Sequence, residues 1–158
     1  MKPYDNPTPF GRSRETTIVL RADGSFEHEG AAVEHQGMSR AFARWVSIHP
    51  ADGRFVLENG EDWSYIKVED TPLFVTALSL EHGELVGSLS NGTLQTIDAL
   101  YTRKDDHMLV KAQLAGQPVW AKLSRHAAFR LGELASPAPE GLRVGDRIIA
   151  VLSAPENT

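Results

Sequence analysis

The sequence predicts an α+β fold: mostly antiparallel short strands with two helices. Three observations predict it. Short β-branched or alternating stretches recur along the chain, separated by turn signals such as Asp23-Gly24, Asp52-Gly53, Asn59-Gly60 and Asn91-Gly92. Only two segments show helical periodicity. The repeating strand–helix–strand order that a parallel sheet needs is absent, which argues for antiparallel pairing.

The elements follow in order. Residues 1–15 carry Pro3, Pro7, Pro9, Asn6 and Gly11 and read as a frayed lead-in. Thr16 to Ala22 is β-branched and apolar, a strand. Asp23-Gly24 turns it back, because Asp and Gly both tolerate positive φ, and Ser25 to His28 returns. Glu29-Gly30 makes a second turn before Ala31 to Val33. Gly37 to His49 reads as a helix, with Met38, Phe42, Trp45 and Val46 on one face and Pro50 ending it. Arg54 to Glu58 is the next strand. Trp63 to Glu69 alternates, which places Trp63, Tyr65, Lys67 and Glu69 together on one side.

Pro72 breaks the pairing, and Leu73 to Leu80 is so apolar that it reads as a strand buried on both faces. His82-Gly83 leads into Glu84 to Leu89, and Thr93 to Leu100 is either strand or short helix. Met108 to Leu114 and Gln117 to Leu123 form a hairpin about Ala115-Gly116. Ser124 is a helix N-cap. Ala127, Ala128, Leu131, Leu134 and Ala135 stripe the second helix, which Pro137 and Pro139 stop. Arg147 to Leu152 is a last strand. The organisation is a β-rich N-terminal subdomain with one helix over 16–72, an α+β C-terminal subdomain over 73–152, and a tail over 153–158. The six large aromatics Trp45, Trp63, Trp120, Phe42, Phe74 and Phe129 read as core.

Composition narrows the function classes. With 158 residues, 41% hydrophobic and 23% charged, the chain is large enough to bury a core without metal or disulfide support. It contains no cysteine, which excludes thiolate metal sites, iron–sulfur clusters and a thiol nucleophile. No apolar run approaches the roughly 20 residues that span a bilayer. The start of the chain lacks the apolar segment of a secretory leader, so the expected location is the cytoplasm. A formal net charge of -5, with acids and bases interleaved, disfavours nucleic acid as a partner.

Motifs narrow it further. No phosphate-binding glycine loop and no GxSxG elbow occurs. The six histidines, His28, His35, His49, His82, His107 and His126, form no HxH or HExxH pair. They read as surface histidines near turns, so no metal or other cofactor is expected. What is left is thin: His28 with Glu29 at one turn, the adjacent carboxylates Glu69 and Asp70 before Pro72, Trp63 and Tyr65 on one strand face, and Arg125 at the start of the second helix. Asp70 before Thr71-Pro72 also fits a turn-organising side chain, and Arg125 a solvated helix face.

Three of these segments stand in a telling order: LRADGSFEHEG (Leu20 to Gly30), SRAFARWV (Ser39 to Val46) and DWSYIKVEDTPLFV (Asp62 to Val75). Together with AKLSRHAAFRLGEL (Ala121 to Leu134), the chain resembles the bacterial domain-of-unknown-function family 1285 over roughly residues 17 to 135. The matching residues are Asp23, Gly24, His28, Glu29, Gly30, Trp63, Val68, Glu69, Asp70 and Pro72. The resemblance implies two intimately packed small units, a β-rich roll with one helix and then an α+β roll. It implies no activity.

Two functions stay open at this point. The first is a non-enzymatic binding or regulatory module for a small ligand or a protein partner, a second copy of the chain included. The second is a small hydrolase or isomerase using His28, Glu29 and Asp70, which requires those three side chains to converge. A polar cleft framed by the Glu29-Gly30 turn and the Glu69–Pro72 turn is the expected meeting place.

Overall fold

A computed structural model of the chain describes residues 3–8 and 11–158. Part of the expected lead-in, Met1, Lys2, Pro9 and Phe10, lies outside the described residues. The chain divides into two compact units: Met1–Pro72 with Gln113–Gln117, and Leu73–Ala112 with Pro118–Thr158. Two α-helices and sixteen strands are present among the described residues, an α+β architecture with mixed and antiparallel sheets.

The first unit contains β1 (Val19–Leu20), β2 (Phe26–His28), β3 (Ala31–Ala32), α1 (Gln36–Trp45), β4 (Val46–Ile48), β5 (Phe55–Glu58), β6 (Trp63–Tyr65) and β7 (Lys67–Val68). They form two sheets, ordered β3-β2-β1-β7 and β4-β5-β6. The turn between β1 and β2 is the expected one. Gly24 has φ 89, and the Asp23 carboxylate accepts the Ser25 amide at 2.9 Å. The core is small: Ile18, Leu20, Phe26, Val46, Val56, Leu57 and Ile66.

The second unit contains β8 (Leu73–Glu81), β9 (Glu84–Leu89), β10 (Leu94–Thr96), β11 (Ala99–Thr102), β12 (Met108–Leu114), β13 (Gln117–Leu123), α2 (Arg125–Leu134), β14 (Ala135–Ala138), β15 (Gly141–Val144) and β16 (Arg147–Ser153), the tip of the β12–β13 hairpin counting with the first unit. All its strands belong to one sheet, β10-β9-β8-β13-β12-β11-β16-β15-β14. Leu73, Val75, Leu85, Leu100, Leu109, Val110, Ala121 and Val144 are at most 2% exposed there. Burial of that depth contributes on the order of 1.5–3 kcal/mol per side chain of Val or Leu size.

Several expectations need correction. The first helix ends at Trp45, not His49. Val46 and Ile48 are β-branched, and the stretch pairs with β5 instead (Val46 with Leu57, Ile48 with Phe55). The single strand expected over Trp63 to Glu69 is two. Ile66 turns into the core between them, so β6 joins β5 while β7 joins β1. Strand β8 is buried on both faces only over Leu73 to Val75; beyond it Leu78 alone is buried, and the strand ends exposed at Leu80 and Glu81.

Parallel pairs do occur, β1 with β7, β8 with β13 and β11 with β16, because long connections through several intervening elements replace a single crossover helix. The Pro137 segment does not merely stop α2. It forms β14, at the end of the sheet order, where a missing amide is tolerated. Phe129 is not core but 71% exposed, because α2 buries Ala127 and Leu131, a stripe that position 129 opposes.

Candidate functional site

The residues singled out from the sequence fall into three places. Strand β1 lies between β2 and β7, antiparallel to one and parallel to the other. His28 and Glu29 therefore sit beside the start of β1, where the Glu29 amide donates to the Thr17 hydroxyl at 3.0 Å. Glu69 and Asp70 sit beyond its other end. There the Glu69 amide donates to the Leu20 carbonyl at 2.9 Å, and its carboxylate lies 3.9 Å from the Arg21 Nε. The register thus separates the two turns, and His28, Glu29 and Asp70 do not converge. Arg125 is exposed at the start of α2, in the second unit.

Trp63 and Tyr65 are different. The pairings Ser47–Val56–Tyr65 and Glu58–Trp63 put Ser47, Glu58, Trp63 and Tyr65 on one face of the β4-β5-β6 sheet. His49 follows two residues after Ser47, its amide bonded to the Arg54 carbonyl at 2.8 Å. The short 3-10 turn Pro3–Asp5 adds Tyr4. Three ring pairs pack edge to face, Tyr4 to His49 at 4.9 Å, His49 to Trp63 at 4.7 Å and Trp63 to Tyr65 at 5.0 Å between centroids, and Tyr4 lies tilted against Trp63 at 5.6 Å.

Two arginines clasp this cluster. The Arg14 guanidinium lies 4.8 Å from the Trp63 ring centre. It also donates to the Asp62 carboxylate, to the Trp63 carbonyl at 2.8 Å and to the Asn6 and Pro7 carbonyls at 3.0 and 3.1 Å. That bond holds the Asp62 carboxyl below its ordinary range. The Arg54 guanidinium stands 3.6 Å over the Tyr65 ring and grips Glu15 with two nitrogens, at 2.7 and 2.9 Å. The Tyr65 hydroxyl donates to Asp52, which raises the phenol and lowers the carboxyl. The Trp63 Nε1 is buried and has no hydrogen-bond partner among the described residues.

Beside the cluster opens a groove of about 630 Å³, lined by residues of the first unit. Tyr4, Ser47, His49, Gly53, Glu58 and Gln117 supply most of its character. Burial pushes the Tyr4 phenol up; the Ser47 hydroxyl offsets this in part and the Glu58 carboxylate adds to it. Tyr4 is therefore a neutral hydroxyl donor at ordinary pH. The His49 Nδ1 accepts the Ala51 amide at 3.1 Å, so the ring's hydrogen sits on Nε2. With Nδ1 engaged in that turn, Ser47 and His49 do not form a nucleophile–base pair. Among the described residues no group of three His, Asp or Glu side chains is placed to hold a metal ion. No helix there is long and apolar enough to cross a membrane.

Sequence reasoning found the Trp63–Tyr65 face by alternation. It missed Tyr4, Arg14 and His49, which join only through packing of distant segments. His35 is an exposed histidine, as expected, with a role the sequence did not suggest. Its Nδ1 caps α1 by accepting the Met38 amide at 3.1 Å.

No protein-family model and no curated relative matches the chain. Two solved structures are similar to it. One is a DUF1285 family protein from Silicibacter pomeroyi DSS-3, with a TM-score of 0.57 and 16% identity over 94% of this chain and 89% of that one. The other is a DUF1285 family protein from Shewanella baltica OS155, with a TM-score of 0.54 and 22% identity over 77% of this chain and 94% of that one. The chain therefore has the fold of the DUF1285 family proteins.

Proposed function

We propose that the protein is a non-enzymatic binding module that holds a small ligand in the Tyr4–His49–Glu58 groove of the first unit. The observation that supports this reading is the groove itself: about 630 Å³ beside a ring cluster whose members are already packed and clasped by Arg14 and Arg54. That volume suits a small organic molecule, and a wall fixed in advance lowers the ordering cost of binding. The hydrolase or isomerase reading on His28, Glu29 and Asp70 draws no support from the register of β1.

Titration of the ¹⁵N-labelled protein with neutral, anionic and cationic fragments tests the reading. Saturable amide shifts are expected at Ser47, His49, Gly53 and Glu58 with at least one fragment. They are expected to vanish in Ser47→Trp, whose indole fills the groove. Fragments that leave all four amides unmoved, or that bind Ser47→Trp equally well, sink it.

A further inference from the structure

We infer that the groove takes an organic ammonium ion, seated between the Glu58 carboxylate and the Tyr4 ring; this rests on the binding reading above and adds the charge of the ligand. The charges of the first unit carry the inference. Glu15, Glu27, Asp62 and Glu69 each have an arginine: Arg54 at 2.7 Å, Arg21 at 2.8 Å, Arg14, and Arg21 again at 3.9 Å. Glu58 lines the groove, is half-buried, and has no basic partner among the described residues. Among the described residues its carboxylate takes one hydrogen bond, from the Gly60 amide to Oε1. A half-buried carboxylate without a counter-charge is costly, and a ligand cation relieves it.

No described lysine or arginine lines the groove, so an anion finds no counter-charge there. The rings agree. Trp63 and Tyr65 each carry an arginine on a ring face, whereas no cation among the described residues stands over Tyr4. An electron-rich ring without a cation beside a carboxylate is the pairing that recognises alkylammonium groups. The Ser47 hydroxyl and the Gln117 amide oxygen supply neutral acceptors nearby.

The test uses choline and ethanolamine as probes and 3,3-dimethylbutan-1-ol, the neutral carbon isostere of choline, as control. Affinities are read from saturable amide shifts at Ser47, His49, Gly53 and Glu58 of the full chain. At least one ammonium probe is expected to bind at least tenfold more tightly than the neutral isostere. Glu58→Gln keeps the acceptor for the Gly60 amide and is expected to lose that advantage at an unchanged melting temperature. Tyr4→Leu is expected to weaken the cation several-fold and leave the isostere unmoved. If the isostere matches the cations, or Glu58→Gln keeps full affinity, the charge assignment is overturned while the binding reading stands. If neither ammonium probe binds but neutral or anionic fragments move the groove amides, the result is the same. If nothing binds the groove, both fall together.

Discussion

The two units share a building plan and differ in what holds them. In each, a ten-residue helix is capped by a side chain that accepts the third amide, His35 Nδ1 in α1 and Ser124 Oγ in α2. Each helix then runs without a loop into three antiparallel strands, β4-β5-β6 or β14-β15-β16. In the second unit the last strand is continuous over seven residues and also pairs parallel with β11. In the first, the same two pairings are split between β6 and β7, and the chain breaks at Ile66. Helix α2 buries Ala127 and Leu131, whereas α1 buries no residue. One unit is held mainly by apolar burial in a single sheet. The other is held to a larger degree by arginines, caps and stacked rings, and that looser construction leaves room for a groove.

The largest effect is expected from Gly141→Ala in the second unit. Gly141 has φ +151, and a Cβ there would stand 2.1 Å from the Ile149 carbonyl oxygen. The β15–β16 pairing cannot accept that contact, so a loss of about 3–5 kcal/mol is expected in urea unfolding. Gly24→Val in the first unit strains only a hairpin turn, and about 1–3 kcal/mol is expected. Equal losses would break the contrast between a sheet interior and a turn.

The helices offer the next comparison. Leu131→Ala opens a cavity under α2 and is expected to cost about 3 kcal/mol. Met38→Ala on α1, at a side chain 49% exposed, is expected to cost under about 0.5 kcal/mol. Thermal melts of the two variants decide it; a large Met38 effect would mean that α1 is anchored as firmly as α2.

Removing a clasp addresses the first unit directly. Arg14→Met keeps the aliphatic stem and removes several hydrogen bonds, and a loss of about 2 kcal/mol is expected at neutral pH. Arg14 lowers the Asp62 carboxyl in the folded chain. The stability it brings is therefore present above the unfolded carboxyl value of about 3.9 and is lost as pH falls through the lowered folded value. The gap between wild type and variant should narrow below about pH 4 on that account. A gap that widens in acid would show that Asp62 is not the partner that matters.

Much of this fold is readable in the sequence, because hairpin turns and caps are local. Asp23-Gly24, Asp52-Gly53, Asn59-Gly60 and Asn91-Gly92 all place glycine at positive φ, and Ser124 caps α2. What local reading misses is decided elsewhere. The segment after Trp45 has helical periodicity on paper, but its β-branched residues find a partner in β5. The stretch around Pro137 looks like a breaker because its role is set by a place at the end of the sheet order. The site follows the same division. Alternation pairs Trp63 with Tyr65, while Tyr4 and Arg14 come from a proline-rich stretch whose docking no periodicity encodes.

The caps give the smallest comparison. Ser124→Ala is expected to cost about 1 kcal/mol, and His35→Ala about 0.5 kcal/mol or less, since imidazole is a weaker cap than a hydroxyl. Chemical denaturation of both variants at one pH orders them, and a reversal would make α1 the better anchored helix.

Proline in β14 has a consequence for how this chain behaves in a crowd. A sheet grows by recruiting a strand along its outermost row of amides and carbonyls, which is how soluble proteins begin to template fibres. The pairing order here ends at β10 and β14. Pro137 has no amide to offer, so β14 cannot zip to an incoming strand along its whole length. The other margin, β10, spans three residues, too short a landing for a stable cross-chain ladder. Replacing Pro137 would restore the missing amide and with it a continuous template, so the residue that looks like a helix breaker also guards against filaments.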